Sequence, residues 1–109
     1  MATIKIKSAD GNKEYTLGFT KKTIKEMAGN GFNISEAVDN YVVGVPKLFE
    51  GAFLRYHRQA KQSEIDSVWE SIGEKPAFIE ALVTMYNEQL EELFGEPEDE
   101  KKAVWEVVK

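Results

Sequence analysis

The chain has 109 residues, of which 42% are hydrophobic and 30% charged, and its formal net charge is −5. This composition is typical of one globular domain and excludes a chain too polar to form a core. The absence of cysteine excludes disulfides and thiolate metal sites and fits a reducing compartment. Neither a signal-peptide core nor an apolar run of about 20 residues is present, so we expect a soluble cytoplasmic protein outside the membrane.

The first residues predict a β-hairpin. Residues 3–7 and 14–19 alternate β-branched or aromatic residues with polar ones, which is typical of strands. Asp10-Gly11 lies between them and is a strong hairpin-turn signal. Two strands alone are marginally stable, so we expect the hairpin to pack on other elements.

The next elements are predicted to be helices. Thr20 is placed to cap a helix that runs to about Ala28, and Ser35 or Asn33 is placed to cap a short helix over residues 35–42. The residues just before Pro46 are expected to be extended, because a residue that precedes proline disfavours the α region.

Pro46 then suits the first turn of the following helix. Ser63 is expected to cap the next one, with Asp66 as the acid of a capping box. Pro76 is expected to open the longest helix, which ends near Phe94.

These elements predict a mainly α (α+β) fold, in which the N-terminal hairpin packs on a bundle of four to five helices. We expect residues 1–94 to form a single domain and residues 95–109 to form a charged linker and an apolar tail. The tail contains Trp105, and it either folds back on the domain or awaits a partner.

The helix after Pro46 has two predicted faces. Phe49, Phe53 and Tyr56 recur at helical spacing and are expected to lie in the core. The other face carries both arginines and the single histidine of the chain. We expect that face to be an exposed assembly surface, although a merely solvated face fits the same pattern. With the tail tryptophan, the candidate partner-binding residues are Arg55, His57, Arg58, Lys61 and Trp105.

No sequence pattern indicates catalysis. His57 has no cysteine to pair with, there is no G-x-S-x-G motif, and no paired-histidine or D-x-D-x-D-G spacing predicts a metal site. The glycines of residues 29–32 follow a helix instead of a strand, so they indicate a helix end and no phosphate-binding loop. We therefore expect no enzyme, no cofactor and no metal, and interpret His57 as a boundary residue.

Charge is unevenly distributed along the chain. Residues 1–61 contain ten basic and six acidic residues, whereas residues 62–109 contain four basic and thirteen acidic ones. Such a split either orients a partner or a second copy, or leaves two solvated faces that merely differ. The acidic balance argues against nucleic acid, so a nucleic-acid-binding regulator is kept only as an alternative to a small protein-interaction module.

Three stretches carry a family resemblance. They are YTLGFTKKTIKEMAGNGFNI (15–34), LFEGAFLRYHR (48–58) and MYNEQLEELF (85–94). Together and in this order they resemble the tail assembly chaperone family of long-tailed phages and prophages of Gram-positive bacteria.

The resemblance implies a non-catalytic role in the host cytoplasm. Members of that family bind the long, largely helical tape measure protein, keep it soluble, help to recruit tail tube subunits, and leave before the virion is complete. They tend to self-associate, and some are also made in a longer, frameshifted form. The alternative is a small acidic phage structural or adaptor module.

Overall fold

The computed structural model describes residues 2–8, 11–96 and 99–108. Its first elements are the antiparallel strands β1 (Ile4–Lys7) and β2 (Glu14–Leu17), paired so that Ile4 lies opposite Leu17. The hairpin is confirmed. Gly11, in the predicted turn, has a φ of +76°, a value that glycine adopts without steric cost. Asp10, the other predicted turn residue, lies outside the described residues.

Five helices follow the hairpin, which confirms the predicted α+β class. They are α1 (Lys21–Gly29), α2 (Ile34–Asp39), α3 (Tyr41–Phe53), α4 (Gln62–Ser71) and α5 (Lys75–Phe94), and a 3-10 turn covers Asp99–Lys101. Thr20 caps α1 in a reciprocal box, since its hydroxyl accepts from the amide of Thr23 and its own amide donates to the Thr23 hydroxyl. Asn33 caps α2 by accepting from two amides.

The core lies between the hairpin, α1, α3 and α5. Its most deeply buried large side chains come from all four of these elements or from the segment that joins them: Leu17, Phe19, Ile24, Leu48, Phe49, Phe53 and Leu82. Gly51 lets α1 approach α3, because a Cβ at this position would overlap the thioether of Met27.

The start of α3 differs from the prediction. Residues 42–45 are helical instead of extended, and Pro46 lies inside the helix instead of in its first turn. Proline removes one helical hydrogen bond and disfavours helix before it. Those costs are offset by burial of Val45 and of Gly44, which packs on Ala37 of α2. Only Asn40 separates α2 from α3. Helix α2 therefore ends at Asp39, three residues before the expected end at residue 42.

Two further predictions are wrong. Lys61 precedes α4 and Ser63 lies inside it, so Ser63 is no cap, and Asp66 accepts from the side chain of Gln62 instead of completing a capping box. Tyr56 was expected in the core with Phe49 and Phe53 but is 45% exposed. The reason is that α3 ends at Phe53, so the helical spacing that buries the two phenylalanines does not continue to Tyr56.

Candidate functional site

The basic residues after α3 take part in contacts within the chain. Arg58 donates through both terminal nitrogens to the carboxylate of Glu26 on α1, at 2.9 and 3.0 Å. This bidentate pair raises the pKa of Arg58, first through the hydrogen bonds, and lowers the pKa of Glu26 for the same reason. The guanidinium of Arg55 lies 4.7 Å from the ring centre of Tyr56. The predicted basic face is thus partly neutralised.

His57 has a structural contact that the sequence did not indicate. Its Nε2 accepts a hydrogen bond at 3.0 Å from the amide of Thr16, on the outer edge of β2. The imidazole also packs edge-on against the rings of Tyr15 and Phe53, with centroids 5.4 and 6.0 Å away. The side chain is half-buried, so it is more enclosed than a histidine on a solvated face.

A second polar contact joins the hairpin to α4. The hydroxyl of Tyr15 donates to Glu64 at 2.6 Å, and the ammonium of Lys13 lies 3.5 Å from the same oxygen. The Tyr15 hydrogen bond, and to a lesser degree the Lys13 charge, holds the pKa of the Glu64 carboxyl below its ordinary value of 4.5. The contact borders an open groove between the hairpin and α4. Like the Arg58–Glu26 pair, it ties distant parts of the chain together.

No metal-binding arrangement is present in the described residues, since no three His, Asp or Glu side chains come together there. Within the same part of the chain, no helix is long and apolar enough to cross a membrane.

Exposed apolar side chains cluster where α2 meets α3. We call them the α2–α3 patch: Val38, Tyr41, Val42 and Val43, which are 43%, 56%, 85% and 53% exposed. The patch borders a hollow of about 260 Å³ that lies over Ala37 and Gly44. Because a large apolar cluster left in water is unusual for a monomer, this surface is a candidate interaction site.

Sequence analysis did not single out the α2–α3 patch, because its residues were assigned to the end of one helix and to an extended segment. A usable signal was present, however. Three consecutive large apolar residues, Tyr41 to Val43, cannot all face one core from a helix, since successive residues lie about 100° apart.

The C-terminal segment is the second exposed apolar surface. Residues 102–108 form no helix or strand, and Trp105 is 82% exposed. The valines of this segment, Val104, Val107 and Val108, are 99%, 73% and 86% exposed. These side chains are therefore not packed on the domain, and that the tail awaits a partner stays a prediction.

The fold and these surfaces define a small α+β protein. Hydrogen bonds between distant parts of the chain hold its elements together, and two exposed apolar surfaces lie among the described residues. The chain belongs to a family described as a domain of unknown function, DUF5055, whose model matches residues 1–108. No curated protein and no solved structure matches the chain significantly.

Proposed function

We propose that this protein is a non-catalytic tail assembly chaperone of a long-tailed phage or prophage. In this role it binds the tape measure protein in the host cytoplasm, keeps it soluble, and helps to recruit tail tube subunits before leaving the assembling particle. The α2–α3 patch is the observation that carries the proposal. An apolar surface held open on a folded scaffold suits a client that exposes long apolar helix faces.

The stretches that resemble the chaperone family meet in the core. Phe19 and Phe32, from the first stretch, pack edge-on against Tyr86 of the third, with ring centroids 5.4 and 5.3 Å apart. Tyr15 packs against Phe53 of the second at 5.8 Å. The residues that carry the resemblance therefore belong to the scaffold of this chain. The α2–α3 patch lies between the first and second stretches, where client contacts can vary without changing that scaffold.

The charge of the protein supports the same role. A net charge of −5 helps to keep a protein with exposed apolar surface from aggregating while it covers an aggregation-prone client. The basic residues after α3 support it less well, because Arg58 is held by Glu26. We therefore place client binding on the α2–α3 patch first, and on Arg55, His57, Arg58 and Lys61 only as a secondary contact.

The test is co-expression with a helical fragment of the tape measure protein from the same phage. The wild-type chain should co-purify with the fragment and raise its soluble fraction. Val42→Asp should abolish both effects while the chain itself melts as the wild type does, because Val42 is exposed. Thr84→Asp, an exposed position in the middle of α5, is the matched control and should behave as the wild type. A wild-type chain that neither binds the fragment nor raises its solubility would overturn the proposal.

A further inference from the structure

The two edges of the hairpin differ in whether their outward-pointing backbone amides have hydrogen-bond partners. The ladder pairs β1 with β2, and the amide of Ser8 continues it by donating to the carbonyl of Lys13 at 2.8 Å. In an antiparallel pair, hydrogen-bonded positions alternate. The backbone amides and carbonyls of Ile4 and Ile6 therefore form hydrogen bonds with β2, and those of Lys5 and Lys7 point away from it.

The outer edge of β2 is covered over most of its length. Its outward amides are those of Glu14 and Thr16, followed by that of Gly18 just after the strand. Thr16 donates to His57 and Gly18 donates to the carbonyl of Ala52 in α3 at 3.1 Å, whereas the amide of Glu14, at the turn end, has no partner among the described residues. No such partner serves the amides of Lys5 and Lys7 within the part of the chain that the structure describes. The outer edge of β1 is thus an open strand edge, which is a template for another strand.

An open hollow of about 340 Å³ lies beside this edge. Its apolar part is formed by the isoleucines of β1 with Ile72 and Phe78, both half-buried, and its polar part by Lys5, Lys7 and Ser71 with Gly73. The side chains of Lys5 and Lys7 alternate with the isoleucines and are exposed, and the ammonium of Lys5 lies 3.9 Å from the carboxylate of Glu14 on β2. An added strand would therefore need an apolar residue on its inner face and an acidic residue on its outer face.

The C-terminal segment has this pattern. In an extended conformation side chains alternate between faces, so Trp105 lies on one face and Glu106 on the other. Ala103 and Val107 share the face of Trp105. Valine and tryptophan are also among the residues that favour strands, and the segment is exposed and unpacked.

We propose that residues 103–108 of one copy add as a third strand to the outer edge of β1 in a second copy. Trp105 then enters the hollow lined by Ile72 and Phe78, and Glu106 lies beside the lysines of β1. Backbone hydrogen bonds supply affinity, and the hollow and the charge pair select this segment.

The chain's own tail does not occupy this edge. Trp105 is 82% exposed in the structure, and the amides of Lys5 and Lys7 have no partner among the described residues. We therefore assign the contact to the tail of a second copy.

The resulting interface joins two different surfaces. Every copy that donates its tail keeps an open edge, and every copy that accepts a tail keeps a free tail. Such head-to-tail contacts continue into rings or open chains instead of stopping at a symmetric dimer. This association needs no client, so it is measured on the pure protein and stands apart from the proposed function.

The test is sedimentation velocity of the full chain from about 10 µM to about 1 mM, because a contact as small as one added strand is expected to be weak. Trp105→Glu should weaken self-association by about 30-fold or more, as expected for a buried tryptophan anchor. Phe94→Glu is the matched control, because Phe94 is also 82% exposed, and it should associate as the wild type does. The edge variant Lys5→Glu/Lys7→Glu should also be monomeric, and adding Glu106→Lys to it should restore association.

Mixing gives the sharpest result. The Trp105→Glu chain keeps an intact edge, and the Lys5→Glu/Lys7→Glu chain keeps an intact tail, so the mixture should form one-to-one dimers and nothing larger. A wild-type chain that stays monomeric over the whole range, or a Trp105→Glu chain that associates as the wild type does, would overturn the proposal. So would a mixture that stays monomeric although both variants melt as the wild type does.

Discussion

Gly44→Ala tests the contact that positions the α2–α3 patch. A Cβ at Gly44 would overlap the Cα and Cβ of Ala37 on α2. The overlapped Cα is backbone, so it cannot move away without separating the two helices. Overpacking of this kind costs about 1–3 kcal/mol, whereas replacing a helical glycine by alanine gains about 0.5–1 kcal/mol. We therefore expect a net loss of about 1–2 kcal/mol in the free energy of unfolding.

Two other helical glycines provide matched controls for the same substitution. Nothing lies within 4 Å of a Cβ built at Gly29, so Gly29→Ala should raise stability by about 0.5–1 kcal/mol. A Cβ at Gly51 would overlap only the flexible end of Met27, which can turn away. The free energy of unfolding of Gly51→Ala should therefore lie between those of Gly29→Ala and Gly44→Ala.

Urea unfolding and thermal melts, both followed by circular dichroism, measure all three variants. The expected order of stability is Gly29→Ala above wild type, then Gly51→Ala, then Gly44→Ala, whose melting temperature should fall by about 5–10 °C. Gly44→Ala should also weaken binding of the tape measure fragment, since separating α2 from α3 disturbs the patch between them. A Gly44→Ala chain as stable as Gly29→Ala would refute the close contact and the reasoning built on it.

Two further predictions concern the contacts that tie the hairpin to the helices. His57→Phe keeps the ring but leaves the Thr16 amide without an acceptor, so it should lose about 1–3 kcal/mol in urea unfolding. His57→Gln keeps an acceptor and should lose less, and the reverse order would mean that ring packing dominates. Because the Tyr15 hydrogen bond lowers the pKa of Glu64, its stabilisation is present above the unfolded value near 4.5 and is lost as pH falls through the lower folded pKa. Tyr15→Phe should therefore reduce the loss of stability between pH about 5 and about 3, and an unchanged pH profile would contradict that role for Glu64.

Local signals predicted the elements whose ends are set locally. The reciprocal cap at Thr20, the cap at Asn33 and Pro76 in the first turn of α5 all lie next to the helix ends that they define. The start of α3 could not be predicted in the same way. The rule for residues before proline is local, whereas the packing of Gly44 on Ala37 that overrides it is tertiary.

The candidate site was harder to predict than the fold. The sequence placed Arg58 and His57 together, but their partners, Glu26 and Thr16, lie 32 and 41 residues away. Tyr56 was misplaced for a similar reason, since the chain leaves the helix before it and His57 turns back to the hairpin. A helical period indicates which side chains share a face only as long as the helix continues.

The chain's uneven charge gains a physical role from the two sheet edges. His57 and Ala52 cover most of the edge of β2, whereas the edge of β1 is open along the described strand and carries Lys5 and Lys7. Lysines on an open strand edge discourage like edges from pairing with each other. The tail follows a strongly acidic stretch, so tails also repel tails. If acidic tails meet basic edges as proposed, the same charges that prevent non-specific aggregation select the one head-to-tail contact, and raising salt should weaken that contact.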